Sequence, residues 1–288
     1  MNVLYKLDAL LENGPEKEHY GQVDAFIASL DKDRAQAPEY VAGLQQKLLA
    51  KSPEDCMQYH VLKAPYGYKG DFRAIDMIYS RHMSTDACGR RWDAYFHQHA
   101  APQAVRNRKE YFKTWVKSEL RHGPLQLLNL ASGPGRDLAE LYDGLDRGLL
   151  RSTCLDADAR AIRYSIEVCK AHSQSIDFKV GNALKYSPDR GYDLIWSAGL
   201  FDYFSDRVFV LLLRKMGRWL KPGGQLAIGN FSLQNPSRAY MELFGNWYLQ
   251  HRSKEQLQAL ALQAGFGPDK AWVGEEPLGI NLFLHIRY

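Results

Sequence analysis

The segment Leu127 to Asp137, LLNLASGPGRD, constrains the fold of this 288-residue chain more than any other. An apolar run ends in the small-residue turn Ser132-Gly133-Pro134-Gly135, and a helical pattern with Leu138, Leu141 and Tyr142 on one face follows. This order predicts a strand, a glycine turn and a helix. Glycine lets backbone N–H groups and a helix N-terminus approach a polar ligand, because it has no Cβ in the way. Taken alone, the turn fits either nucleotide binding or an ordinary tight turn.

An alternation of strand and helix patterns fills the chain from residue 125 onward. Apolar runs predict strands at 125–131, 151–157, 175–182, 192–199 and 224–230, and helical patterns separate most of them. Such alternation predicts a parallel sheet with helices on both faces. After a long helical stretch at 238–264, two strand-like runs at 270–274 and 280–288 end the chain. Only residues 275–279 lie between these runs, so we expect an antiparallel pair.

Residues 1–124 have a helical character instead, and we predict two domains, 1–124 and 125–288. Val23, Phe26 and Ile27 recur at helical spacing, Pro38 begins a second helix, and Ser52-Pro53 predicts the start of a third. Amphipathic helices of this kind usually pack against something. We expect an N-terminal cap that serves as a lid or as a dimerisation face.

Composition and charge exclude several classes of protein. The net charge of +4 comes from basic residues interleaved with acids, which gives no case for nucleic acid. The four cysteines are widely spaced and indicate free thiols in a reducing compartment. The N-terminal residues, MNVLYKLDALLENG, are too charged for a signal peptide, and no long apolar run predicts a membrane span. We expect a cytoplasmic protein with a small-molecule substrate and no metal; the oligomeric state stays open.

The ends of the predicted strands carry suitable groups for a nucleotide. In an open parallel sheet, a ligand lies beyond the carboxyl ends of the strands. Asp156 ends the second strand and suits a ribose diol, while Asn182 follows the third strand and suits an adenine edge. Each has an alternative: Asp156 as a helix N-cap and Asn182 as a turn residue. Ser197-Ala198 and Asn230 end the fourth and fifth strands.

Two motifs before residue 125 contain further candidate site residues. The glycine-rich segment 64–71, APYGYKGD, exposes Tyr68 and is either a loop packed on the core or a loop that covers a ligand. Arg106 and Arg108 lie two apart on a predicted helix, so they point to different faces and at most one is expected to reach a site.

The strand-end motifs resemble those of class I S-adenosylmethionine (SAM) dependent methyltransferases over residues 125–288. The resemblance is carried by segments 129–137, 155–158, 181–183 and 220–224, with Asn129 and Asn182 standing where that family often has acids. It implies a Rossmann-like seven-stranded sheet with the last strand antiparallel, and SAM as cosubstrate. The cofactor-binding residues that it implies are Ala131, Ser132, Gly133, Pro134, Asp156, Ala157, Asn182, Ala183, Ser197 and Ala198. Arg106 is added to them as a further candidate.

A narrower resemblance covers nearly the whole chain. The segments 67–71, 104–108, 197–203 and 229–231 are similar to a bacterial subgroup that includes 3-hydroxy-fatty-acid methyl ester synthases of quorum signalling. A related use of the same scaffold is SAM cyclisation to azetidine-2-carboxylate. This resemblance implies signalling or secondary metabolism.

Three functional hypotheses follow. The first is methyl transfer to a carboxylate or hydroxyl oxygen of a small acid or hydroxyacyl metabolite; an ionised carboxylate needs no strong base. The second is a cyclase in which the SAM amine attacks its own γ-carbon and expels methylthioadenosine. The third is a non-catalytic SAM-binding regulator. Asn230, Tyr203 and Tyr68 are the candidate catalytic residues, with the tyrosines offering aromatic faces to a sulfonium.

Overall fold

A computed structural model describes Leu10, residues 13–33 and residues 38–288. Most of the N-terminal run that argues against a signal peptide lies outside these residues. The chain divides into two compact units, one formed by 1–105 with 235–248 and the other by 106–234 with 249–288. Within the described part of the chain, none of the helices has the length and apolar character needed to span a bilayer.

The first unit is helical. Asp71 and Asp86 cap two of its helices by accepting hydrogen bonds from backbone N–H groups of the first turn, and the Cys56 sulfur does the same for a third. Its helices, the last of which continues into the second unit, are α1 (Tyr20–Asp33), α2 (Pro38–Lys51), α3 (Met57–Lys63), α4 (Phe72–Ser80), α5 (Ala87–Gln98) and α6 (Ala100–Glu119).

Residues 235–248 belong to this helical unit although they follow the fifth strand in sequence. Gln58 on α3 donates a hydrogen bond to the Phe244 carbonyl at 2.8 Å and accepts one from the Tyr240 hydroxyl at 2.8 Å. Gln45 on α2 donates to the Leu243 carbonyl at 2.9 Å. These buried bonds fix a short helix from this segment on α2 and α3.

The second unit is built on one seven-stranded sheet in the order β3-β2-β1-β4-β5-β7-β6. Neighbours from β3 to β5 pair in parallel, whereas β7 pairs antiparallel with both β5 and β6. The prediction of a Rossmann-like sheet with an antiparallel last strand is confirmed. The strands are β1 (Leu125–Leu130), β2 (Leu150–Asp156), β3 (Ile176–Val180), β4 (Tyr192–Ser197), β5 (Leu220–Phe231), β6 (Ala271–Glu275) and β7 (Asn281–Arg287).

Helices cover both faces of this sheet. One apolar cluster joins Leu212 and Leu213 to Leu128, and the other joins Phe112 and Leu138 to the opposite face. Burial of such side chains stabilises the fold by about 1.5–3 kcal/mol each. The remaining helices are α7 (Arg136–Tyr142), α8 (Ala159–Val168), α9 (Asp206–Arg218), α10 (Arg238–Leu243) and α11 (Lys254–Gln263).

Some predicted boundaries differ from the structure. The third N-terminal helix begins at Met57, after a Cys56 cap, and not at Ser52-Pro53. The stretch 238–264 forms two helices, α10 and α11, because α10 packs in the first unit while residues from Leu249 onward return to the second. The compact units divide within α6, so they do not coincide with a division between residues 124 and 125.

Candidate functional site

The strand order of the second unit reverses between β1 and β4, and a crevice is expected beyond the carboxyl ends of strands at such a point. After β1 the chain passes through α7 to β2 on one side, and after β4 it passes through α9 to β5 on the other. The carboxyl ends of β1 and β4 are therefore neighbours from which the connections diverge. This is the place where open α/β sheets bind ligands.

The glycine loop leaves β1 through three residues in left-handed conformation. Ala131, Gly133 and Gly135 have φ of +54°, +58° and +74°. The two glycines serve different purposes. A Cβ on Gly135 would overlap the Ser165 hydroxyl on α8, whereas a Cβ on Gly133 would meet nothing within 4 Å. Gly133 thus turns its open side to the crevice, where a ligand can approach the backbone.

Asp156 connects this loop to the end of β2 by a hydrogen bond. Its Oδ2 accepts a hydrogen bond from the Gly133 N–H and its Oδ1 accepts one from the Asp158 N–H, both at 2.9 Å. Burial raises the carboxyl pKa of Asp156, and these two hydrogen bonds oppose the rise. Each oxygen keeps a lone pair, so the half-buried carboxylate can still accept two hydroxyl donors.

The N-cap alternative for this acid is resolved. Asp158 caps α8, because its side chain accepts a hydrogen bond from the Arg160 N–H at 2.9 Å. Asp156 is left for the loop and for a ligand. Ala157, between the two acids, is exposed.

Asn182 lies in a turn directly after β3. Its Oδ1 accepts a hydrogen bond from the Leu184 N–H at 2.8 Å, which is the turn role foreseen as the alternative. The side chain is exposed, and its Nδ2 makes no hydrogen bond to any described residue. That amide group can therefore donate to a ligand while the oxygen holds the turn. Ala183 packs against the core beside it.

The end of β4 is tied to β1 and to helix α6. The buried Ser197 hydroxyl donates to the Leu130 carbonyl at 3.1 Å, so this side chain serves the scaffold. The Ala198 carbonyl accepts a hydrogen bond from Arg108 Nη1 at 3.1 Å, and Gly199 leaves room for the guanidinium. Arg108 is 3% exposed. Arg108 thus contacts the residue that follows β4, whereas a contact of Arg106 with the cosubstrate stays a prediction.

Two buried acids, Asp137 and Asp202, interact electrostatically with Arg108. Burial raises the pKa of Asp137, on α7, and of Asp202, in the turn after β4, to about 6 in each case. The positive charge of Arg108 lowers the pKa of both carboxyls and so opposes the effect of burial. Neither acid comes within 4.0 Å of Arg108 as an ion pair among the described residues. The sequence motifs contained Arg108 and Asp202, but they did not reveal this grouping.

Asn230 is fully buried at the end of β5, and its amide is occupied. Its Nδ2 donates to the Phe231 and Gln250 carbonyls, each at 2.9 Å, and its Oδ1 accepts from Arg252 Nη1 at 2.8 Å. Arg252 also donates to the Phe204 carbonyl at 2.6 Å and pairs with Asp206. These bonds favour a positioning role for Asn230 over contact with a substrate.

Other predicted site residues have different surroundings. Tyr203 is 42% exposed in the turn after β4, and Tyr68, in the first unit, is 40% exposed. Ser132, Pro134 and Arg106 are buried.

The glycine-rich segment 64–71 in the first unit is a loop that side-chain hydrogen bonds hold in place. Lys69 Nζ donates to the Val61 and Leu62 carbonyls at 2.6 and 2.9 Å, and burial lowers the pKa of this lysine. Asp71 accepts from His60 Nε2 at 3.0 Å and caps α4.

Part of this chain is similar in sequence to known methyltransferases. Residues 127–224 match a family model described as a methyltransferase domain. Phosphoethanolamine N-methyltransferase 1 of Arabidopsis thaliana is 30% identical over 31% of this chain and 18% of its own length. The 27-O-demethylrifamycin SV methyltransferase of Amycolatopsis mediterranei is 30% identical over 35% of this chain and 41% of its own length. The chain thus spans less than half the length of these curated relatives.

Among solved structures, a possible exported protein of Bordetella parapertussis has the same fold. It superposes with a TM-score of 0.62 at 18% sequence identity, covering 80% of this chain and 86% of the other. Residues 127–224 therefore resemble a methyltransferase domain in sequence, and the seven-stranded sheet around them has the Rossmann-like methyltransferase fold. The match supports SAM as cosubstrate, and the open Gly133, the Asp156 lone pairs and the free amide of Asn182 fit the adenosine half of SAM.

Proposed function

We propose that this protein transfers the methyl group of SAM to an oxygen, carboxylate or hydroxyl, of a small acid or hydroxyacyl metabolite in signalling or secondary metabolism. The observation that carries the proposal is the joint arrangement of Gly133 and Asp156. One carboxylate holds the glycine loop open and keeps two lone pairs for a ribose.

The residues around the crevice suit an acceptor that is already ionised. SAM supplies an activated methyl group on sulfur, so the protein chiefly has to align an acceptor oxygen and exclude water. The side chains of Ser197 and Asn230, at the ends of β4 and β5, are committed to the scaffold. An ionised carboxylate acceptor needs no proton removed, and it matches this arrangement.

The test uses SAM labelled in its methyl group and a panel of 3-hydroxy acids and simple carboxylic acids. We expect S-adenosylhomocysteine (SAH) to form only when an acid is added. Labelled methanol released from the product by mild base identifies a carboxylate ester, whereas a base-stable label identifies a hydroxyl acceptor.

The same incubation separates the other hypotheses. Azetidine-2-carboxylate formed together with methylthioadenosine from SAM alone, faster than in a control without protein, would establish the cyclase and reject methyl transfer. Tight SAM binding with neither product across the panel would support the regulator. The occupied amide of Asn230 gives no support to a direct contact with the SAM amine, which the cyclase hypothesis had assigned to it.

A further inference from the structure

Arg108 has hydrogen-bonding capacity that the protein does not use. Its Nε is fully buried without a partner, and Nη1 to the Ala198 carbonyl is its one hydrogen bond to a described residue. A buried donor left without a partner is destabilising, and more so when it belongs to a charged group. Such a cost is recovered when a ligand supplies the acceptor.

The unused donors form one edge of the guanidinium. Because Nη1 is held by Ala198, the Nε and Nη2 groups remain on the other side. Two parallel N–H groups of this kind match the two oxygens of a carboxylate. The geometry favours a planar anion over a single acceptor atom.

The direction of the cosubstrate along the sheet leads to the same arginine. Asn182 at the end of β3 suits adenine, and Asp156 at the end of β2 suits the ribose. Continuing along the sheet, the next strands are β1 and then β4. The amino-acid end of SAM would then lie over the ends of β1 and β4, where Arg108 meets the Ala198 carbonyl.

We propose that Arg108 binds the carboxylate of the amino-acid end of SAM through Nε and Nη2. This inference rests on the proposed SAM site and assigns its polar end. It gives the site a means to discriminate SAM from adenosine compounds that lack the amino acid.

The experiment measures binding of three ligands by calorimetry to the full chain: SAM, decarboxylated SAM and methylthioadenosine. In Arg108→Gln we expect SAM affinity to fall about 10- to 100-fold, since hydrogen bonds to a charged group contribute about 1.5–3 kcal/mol. Decarboxylated SAM and methylthioadenosine should bind the variant and the wild type within threefold of each other. Arg108→Lys should lie between, because a lysine offers a point charge without the planar fork.

The matched control is Arg190→Gln. Arg190 pairs with Asp177 near the start of β3, at the other edge of the strands, so its loss should leave all three affinities unchanged. If Arg108→Gln does not fold, Arg108→Lys carries the same comparison.

Two results would overturn the assignment while leaving the SAM site intact: unchanged SAM affinity in Arg108→Gln, or an equal loss for all three ligands. An equal loss would make Arg108 a structural group. If wild-type protein binds neither SAM nor methylthioadenosine, both this assignment and the proposed function fail.

Discussion

Replacement of Asp156 by alanine probes the contact on which the proposed function depends. The carboxylate accepts one backbone hydrogen bond on each oxygen, from Gly133 and from Asp158. The second lone pair of each oxygen is available to a ribose hydroxyl. Asp156→Ala therefore removes two ligand contacts and also frees the glycine loop.

The expected loss of affinity can be worked from these contacts. A hydrogen bond to a charged group contributes about 1.5–3 kcal/mol, and the lower part of that range applies because Asp156 is only half-buried. Two such bonds give about 3–4 kcal/mol, or a weakening of about 150- to 800-fold in Kd. The freed Gly133 and Asp158 N–H groups add a loss of stability of about 1 kcal/mol.

The assay is calorimetric titration with SAH and with its 2′-deoxy analogue. If Asp156 binds the 2′-hydroxyl, removal of that hydroxyl weakens binding to wild type but leaves binding to Asp156→Ala almost unchanged. This non-additivity is the signature of a direct contact.

Asp158→Asn is the matched control, since Asp158 is an acid two residues away that caps α8. We expect its SAH affinity to stay within twofold of wild type. Additive losses in the cycle, or an Asp156→Ala variant that folds and binds SAH as tightly as wild type, would refute the ribose contact.

Three further predictions concern the scaffold of the site. Gly229→Ala should lower the melting temperature sharply or prevent folding, because a Cβ there would overlap the Ala198 carbonyl oxygen of the neighbouring strand end. Between pH 3.8 and about 6, Asp202 is protonated to a greater extent in the folded protein than in the unfolded chain. The contribution of this group to stability is therefore full below pH 3.8 and is lost as pH rises through 6. Asp202→Asn should thus gain stability relative to wild type on going from pH 4 to pH 7, by at most about 3 kcal/mol in urea titrations; a difference that does not change with pH would contradict the assigned pKa. Asn230→Ala should cost about 2–4 kcal/mol in unfolding free energy because Arg252 and two carbonyls lose their partner, and sucrose should restore its activity along with its stability. Activity that stays lost in a fully folded Asn230→Ala protein would point to a catalytic contact instead.

The sheet and the adenosine half of the site follow from local patterns in the sequence. Apolar runs, the spacing of Asp156 after the glycine turn and the short connection before β7 depend on residues close together in the chain. The structure confirms the sheet and its antiparallel last strand. It also shows the hydrogen bond from Gly133 to Asp156, whereas the contact of Asp156 with a ribose stays a prediction. The sequence does not decide which of Asp156 and Asp158 is the helix N-cap, because either acid could cap a helix that begins at residue 159.

The polar side of the crevice could not be predicted in the same way. Which arginine of Arg106 and Arg108 reaches Ala198 depends on how α6 is rotated against the sheet, and helical spacing alone does not specify that rotation. Hydrogen bonds that occupy the Asn230 amide are made with Arg252 and Gln250. These two residues follow segment 235–248, which belongs to the helical unit, and lie where the chain is again part of the second unit. Such partners are remote in sequence and carry no local signal.

These long-range bonds also decide how the site must be tested. Polar groups at the ends of β4 and β5 hold strand ends together, so their removal lowers activity whether or not they touch the substrate. A loss of activity in Ser197 or Asn230 variants therefore does not identify a catalytic group. Ligand analogues that lack one group at a time, such as the 2′-hydroxyl or the carboxylate, report on a contact itself and leave the scaffold unchanged. For this site, measuring each variant with the ligand analogue that lacks the matching group distinguishes a residue that binds the ligand from one that only stabilises the scaffold. Substitution alone does not make this distinction.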